Sequence, residues 1–151
     1  VANVKKSGVS IRRVARSDID TILAIDRKIS GEQGLVTYRD MVTADLGGPL
    51  DLSFVAEANG QVVGFIWCRL TYVGIPIIEV ALTHMMVVDP DYQGQGIAGK
   101  LVNALLDHCQ AEEIETVRMV VGERNTRLQH FFERLGFHRS ALINYTKTFE
   151  S

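Results

Sequence analysis

Apolar positions change period several times along the chain, and each change marks off an element. SIRRVA, from Ser10, alternates as a first strand does. Ile19, Ile22, Leu23, Ile25 and Ile29 then fall at helical spacing. That predicts a helix over 18–29, with Ser17 or Asp18 as its cap. Gly31 and Gly34 break it, and a second helix is predicted over 38–46, ended by Gly47-Gly48-Pro49. From Leu52 the texture is that of strands. LSFVAEA, QVVGFIWCRLTYV and IIEVALTHMMVV read as three of them. Asn59-Gly60 is the strongest hairpin signal in the chain and joins the first two. Gly74 and Pro76 turn the second into the third, and Asp89-Pro90 ends the run. Such short connections make an antiparallel meander.

Beyond Gly96 the helical period returns. Ile97, Leu101, Leu105 and Cys109 lie four apart, with Val102 and Leu106 widening the stripe. TVRMVV, from Thr116, is a predicted strand. Residues 125–135 form a short helix, with Gly136 fitting its C-terminal cap. FHRSALINYTKTF has strand-like content and is expected to return along the sheet edge. The expected order is βααβββαβαβ, with the last strand open to division in two. This is an α/β chain of the α+β kind: one domain over residues 1–151, with a central, mostly antiparallel mixed sheet flanked by helices. Residues 1–8 (VANVKKSG) are polar and aperiodic and are expected to be a flexible end.

Composition narrows the function. A chain of 151 residues, 46% hydrophobic and 23% charged, is enough for one real core. A net charge of −2 gives no basic excess, so no nucleic-acid partner is expected. Cys68 and Cys109 sit inside apolar runs and read as buried free thiols. No second ligand stands at metal spacing near Cys68, so no metal is expected. No apolar run approaches the length of a membrane span. With few cysteines and no leader-like segment, the expected setting is cytoplasmic, with no membrane partner.

The chemistry gathers in DYQGQGIAGKL, residues 91–101. Gly94-x-Gly96-x-x-Gly99 has the spacing of a dinucleotide fingerprint, and Gly94-x4-Gly99-Lys100 is nearly a P-loop. The same stretch holds Gln93-x-x-Gly96-x-Ala98. All three patterns would present backbone N–H groups to phosphate at a helix start. A dinucleotide fold needs an early βαβ unit and further parallel strands. Here more than ninety residues, an antiparallel meander among them, come first. A P-loop needs Ser or Thr after its lysine to hold Mg²⁺. Here that residue is Leu101, which belongs to the apolar stripe.

The third pattern fits its context. MMVVDPDYQGQGIAGKLVNAL, followed at the right distance by NTRLQHFFERLGF, resembles the acyl-CoA and succeeding motifs of the GNAT superfamily of N-acetyltransferases. The resemblance runs from SIRRVARSDIDTILAID to ERLGF. It implies an acetyl-CoA-dependent N-acetyltransferase that transfers acetyl directly to a primary amine in a ternary complex. The acceptor is a protein N-terminus, a lysine or a small amine. A non-catalytic acyl-CoA sensor on the same fold is the alternative. By the same resemblance, the backbone of Met86, Val87 and Val88 bonds the pantetheine arm. The loop of Gln93, Gly94, Gln95, Gly96, Ile97, Ala98 and Gly99 holds the pyrophosphate. Asn125 contacts CoA near the pantetheine, although an Asn opening a helix is also a natural N-cap.

Acetyl transfer also needs a base and a proton for the departing thiolate. In a regular strand Leu82, His84, Met86 and Val88 share one face. His84 has a suitable intrinsic pKa for the base. Glu79 is the second candidate, and would share that face only through a bulge. Many family members carry Tyr where this chain has Phe132. Phe132 can pack against the CoA arm but cannot donate a proton. Tyr145, on the expected last strand, is then the remaining tyrosine after the loop and is assigned chiefly to the substrate side. The resemblance places the amine site between residues 29–38 (ISGEQGLVTY), where Glu32 could attract a cation, and residues 140–145. An exposed sheet edge near the C-terminus suits a homodimer.

Overall fold

The computed structural model describes residues 8–32 and 34–150. Of the expected flexible end, residues 1–8, all but Gly8 lie outside them. The chain forms two compact units, one ending at Val120 and the other beginning at Val121.

The first unit is built on a five-stranded sheet in sequence order, β1 (Ser10–Arg13), β2 (Phe54–Ala58), β3 (Gln61–Val73), β4 (Ile78–Val88) and β5 (Val117–Met119). All neighbours are antiparallel except β4 and β5, which run parallel. Asn59 and Gly60 both have positive φ, 53° and 75°, and they form the two-residue loop between Ala58 and Gln61. That is the turn whose twist matches a right-handed hairpin.

Helices α1 (Ile19–Ser30) and α2 (Tyr38–Thr43) cover one face. Ile19, Ile22, Leu23 and Met41 pack there with Val14, Leu46, Val55 and Phe65. Helix α3 (Ile97–Ala111) covers the other face and buries Ile97, Leu101, Val102, Leu105 and Cys109. Burying each such aliphatic side chain is worth about 1.5–3 kcal/mol. The close approach of α3 depends on Gly64 of β3. A Cβ there would lie 3.1 Å from the Val87 carbonyl oxygen and 3.4 Å from Ile97 Cγ2. Both cysteines are buried free thiols, as the apolar runs predict, and burial pushes Cys68 up to about 12 and Cys109 to about 11.

The second unit contains α4 (Thr126–Arg134). Asn125 caps it, its Oδ1 accepting from the Leu128 N–H at 3.2 Å. Gly136 closes it with a φ of 91°. Phe132 is buried between Phe131 and Phe137, with ring centroids 5.1 and 5.4 Å away.

Three expectations need correction. No strand forms beyond Met119 among the described residues. The stretch 138–150 is exposed, and Leu142, Ile143, Tyr145 and Phe149 face solvent. Strand-like content is not enough, because a strand exists only where a neighbour completes its ladder. Helix α2 stops at Thr43 rather than at residue 46, because Asp45 takes a φ of 53° that a helix cannot continue. Asp18 does not cap α1 with its side chain. Arg12 binds both its oxygens at 2.8 Å, and the Ala15 N–H binds one at 2.7 Å.

Candidate functional site

β4 is the spine of the site. It pairs with β5 over three residues only, Ala81 with Val117, Leu82 with Arg118 and Thr83 with Met119. Past Thr83 it continues to Val88 with β3 as its one partner strand among the described residues. Hydrogen-bonding direction alternates along a strand. The Asp89 N–H donates to the Val63 carbonyl of β3 at 2.7 Å, so Met85 and Val87 also face β3. The N–H and C=O groups of Met86 and Val88 therefore point to the side that β5 has left. The Val88 carbonyl accepts there from Gln93 Nε2 at 3.2 Å.

A β-bulge sits at the centre of this strand. Trp67 pairs with Met85 and Cys68 with Thr83, so His84 is the extra residue of β4. Two residues opposite one shift the parity of side chains along the strand. Leu82, His84, Met86 and Val88 accordingly do not share a face. Met85 and Val87 join the α1 side with Phe65 and Trp67, while Met86 and Val88 turn toward α3. The His84 ring lies on Trp67, with centroids 5.3 Å apart. Burial first, and then the charge of Arg69, holds its imidazole below the ordinary value. Glu79 pairs with Tyr72 and its Oε2 accepts from the Tyr72 hydroxyl at 3.2 Å. It lies five residues from His84, about 17 Å along a strand, and on the opposite face.

At the other end of β4 the loop meets α3. Gly94 and Gly96 have φ of 79° and 76°, which L side chains adopt only with strain. Gly96 caps α3, no side chain accepts from the first N–H groups, and no acidic residue stands in the first turn. At Gly94, Gly96 and Gly99 an added Cβ would meet nothing within 4 Å. Bare backbone N–H groups, open space and the positive end of a fifteen-residue helix together suit a phosphate. Lys28, near the end of α1, reaches this loop and binds both oxygens of Asp89 at 3.0 Å and Asp91 at 3.1 Å. Those bonds hold its ammonium above the usual range.

A cleft of about 530 Å³ opens on the α1–α2 side, lined by Leu35, Val36, Asp40, Thr43, Ala44, Trp67 and Arg69. Asp40 is engaged with the Thr37 N–H at 2.9 Å and the Thr37 hydroxyl at 2.7 Å. Those two bonds hold its carboxyl below the usual range.

The first unit thus sets His84, Met86 and Val88 on one strand with the loop beyond its end, and leaves Glu79 at the far end. Asn125, Phe132 and Tyr145 belong to the second unit. There Asn125 is a cap, Phe132 a core residue, and Tyr145 is 92% exposed. Sequence reasoning missed Trp67, Arg69, Lys28 and the bulge. The broken alternation of THMMVV was the one available signal for the last of these.

A strand edge left open by β5, beside a glycine-lined helix start whose first N–H groups donate to no side chain, is suited to a phosphate-bearing ligand. A family model, the Acetyltransferase (GNAT) family, matches residues 19–137. The chain belongs to that family. It is similar to an uncharacterized N-acetyltransferase of Methanocaldococcus jannaschii, 35% identical over 60% of this chain and 40% of that protein. It is similar to a mycothiol acetyltransferase of Cellulomonas flavigena, 31% identical over 74% of this chain and 34% of that protein. The chain thus spans less than half the length of these two relatives. Among solved structures, an aminoglycoside N-acetyltransferase in complex with CoA shares the fold, with a TM-score of 0.76 at 18% identity. That match covers 96% of this chain and 97% of the other. Among the described residues no helix is long and apolar enough to cross a membrane.

Proposed function

We propose that residues 1–151 form one N-acetyltransferase domain that moves an acetyl group from acetyl-CoA to a primary amine by direct transfer. One observation carries this reading. The bare N-terminus of α3, with positive φ at Gly94 and Gly96, lies at the end of the strand whose Met86 and Val88 backbone groups are free of β5. A pyrophosphate would be held by the N–H groups of the 93–99 loop, and a pantetheine arm by Met86 and Val88. Val87 turns its own backbone groups to β3 and takes no part. Acetyl-CoA, when bound, supplies an acyl group activated as a thioester.

The chain's own residues supply the rest. His84, with its depressed pKa, stays neutral near pH 7 and can take the proton of an ammonium acceptor. The Met86 N–H, facing the open edge, is the donor nearest His84 that can polarise a carbonyl. Glu79 is too far along the strand to share this work. Asn125 is proposed to cap α4 and to contact CoA with its free amide. Phe132 packs and donates no proton, and Tyr145 remains a substrate-side candidate. The absence of a hydroxyl at Phe132 favours a second reading, an acyl-CoA sensor without turnover.

Isothermal titration of the purified chain with acetyl-CoA, NAD⁺ and ATP–Mg²⁺ tests the first step. Selective acetyl-CoA binding is expected, and binding of NAD⁺ or ATP alone would overturn the assignment. Thiol release with amine and peptide acceptors then separates a transferase from a sensor.

A further inference from the structure

The cleft between α2 and β3 contains a guanidinium with no ion-pair partner among the described residues. It belongs to Arg69, which is half-buried in the cleft wall. The cleft's carboxylate, Asp40, is committed to Thr37. The remaining wall comes from Leu35, Val36, Thr43, Ala44 and Trp67. A half-desolvated guanidinium facing an open cleft is suited to a carboxylate, which it can bind through two parallel N–H donors.

We infer that the acceptor of this chain carries a carboxylate, held by Arg69, several ångströms from the amine it presents to His84. This inference rests on the acetyltransferase reading. The span follows from the strand. Arg69 stands two residues from Trp67 on the same face of β3, about 7 Å along the strand. Trp67 is the residue on which His84 lies. A free α-amino acid is too short, because its carboxylate and amine share one carbon. An acidic side chain at the second position of an extended peptide N-terminus has the span. So has an unbranched ω-amino acid of five or so carbons.

The test compares acetyl-CoA-dependent transfer to peptides that differ only in Glu or Gln at the second position. A second arm compares a matching ω-amino acid with the corresponding alkylamine. Trp67 is the chain's single tryptophan and lines the cleft, so its fluorescence reads peptide binding without any transfer. The Glu peptide should be preferred by about 10-fold or more, the worth of one charge-assisted contact. Arg69→Gln should bring that ratio to about 1, and Arg69→Lys should keep part of it. A preference in the peptide arm alone identifies a protein N-terminus; one in the amino-acid arm alone identifies a small molecule. Equal use of Glu and Gln peptides by the unaltered chain would overturn the inference and leave the acetyltransferase intact. So would a preference that survives Arg69→Gln. Charge-selective binding seen by Trp67 without turnover would keep Arg69 as a carboxylate site but overturn the acetyltransferase reading, and with it the ligand's role as acceptor.

Discussion

Gly99 separates a phosphate cradle from an ordinary helix start. It lies in the first turn of α3, its φ is not in the left-handed region, and a Cβ there would meet no protein atom within 4 Å. In a helix Ala is better than Gly by up to about 1 kcal/mol. For a chain of this length that raises Tm by about 2–4 °C. If the loop were only a turn, Gly99→Ala would therefore be a simple gain. If the open space is where a pyrophosphate sits, the new methyl intrudes on it. Losing one hydrogen bond to a charged group costs about 1.5–3 kcal/mol, which is about a 10- to 150-fold rise in the acetyl-CoA Kd. The expected result is a chain that melts higher and binds more weakly. Gly96→Ala is the control. Its φ of 76° costs a non-glycine residue about 1–2 kcal/mol. It should lower Tm while weakening binding as well. Differential scanning calorimetry and acetyl-CoA titration on the same samples read both quantities. A Gly99→Ala chain with raised Tm and unchanged Kd would refute the cradle.

Other residues make separate demands. His84→Gln should lower kcat by about 100- to 10,000-fold with the acetyl-CoA Kd unchanged, as measured by thiol release beside titration. The His84 pKa is depressed in the folded chain, so kcat/KM should rise with pH through a value below 6.5 and level off above it. The same depression stabilises the fold above pH 6.5, and that contribution fades as pH falls through 6.5 toward the folded pKa. His84→Gln should flatten this part of a urea-midpoint profile. Gly64→Val should cost about 1–3 kcal/mol in urea unfolding, because its side chain enters the space between Val87 and Ile97. Lys28→Met leaves Asp89 and Asp91 uncompensated beside the loop, so acetyl-CoA should bind more weakly at low salt, with the difference closing as salt is added.

The parts of the fold set by local periodicity were readable from sequence. The stripe of α3, the Asn59-Gly60 turn and the apolar runs of β2 and β3 each carry their own signal, and each stands where it was expected. The glycines of the loop were readable for the same reason, since positive φ at a helix start is a local demand. What was not readable depends on a partner. His84 becomes a bulge only because Trp67 pairs with Met85. Asp18 turns from the helix to Arg12 because β1 brings that guanidinium beside it. The segment after Phe137 has the residues of a strand but forms no ladder. Arg69 looks like any strand arginine until α2 and β3 leave a cleft around it.

The bulge at His84 makes the β3–β4 hairpin a splice of two independent registers. Toward the tip, Val80 and Ala81 are fixed by core packing on both faces. Toward the base, Met86 and Val88 turn their backbone groups to the open edge. In an unbroken strand any insertion or deletion would exchange inside for outside along the rest of its length. Here the extra residue already absorbs one such step. Beyond Val80 the hairpin tip is open to solvent at Ile75 and Ile77, so a change of length there would leave the backbone groups of Met86 and Val88 where they are.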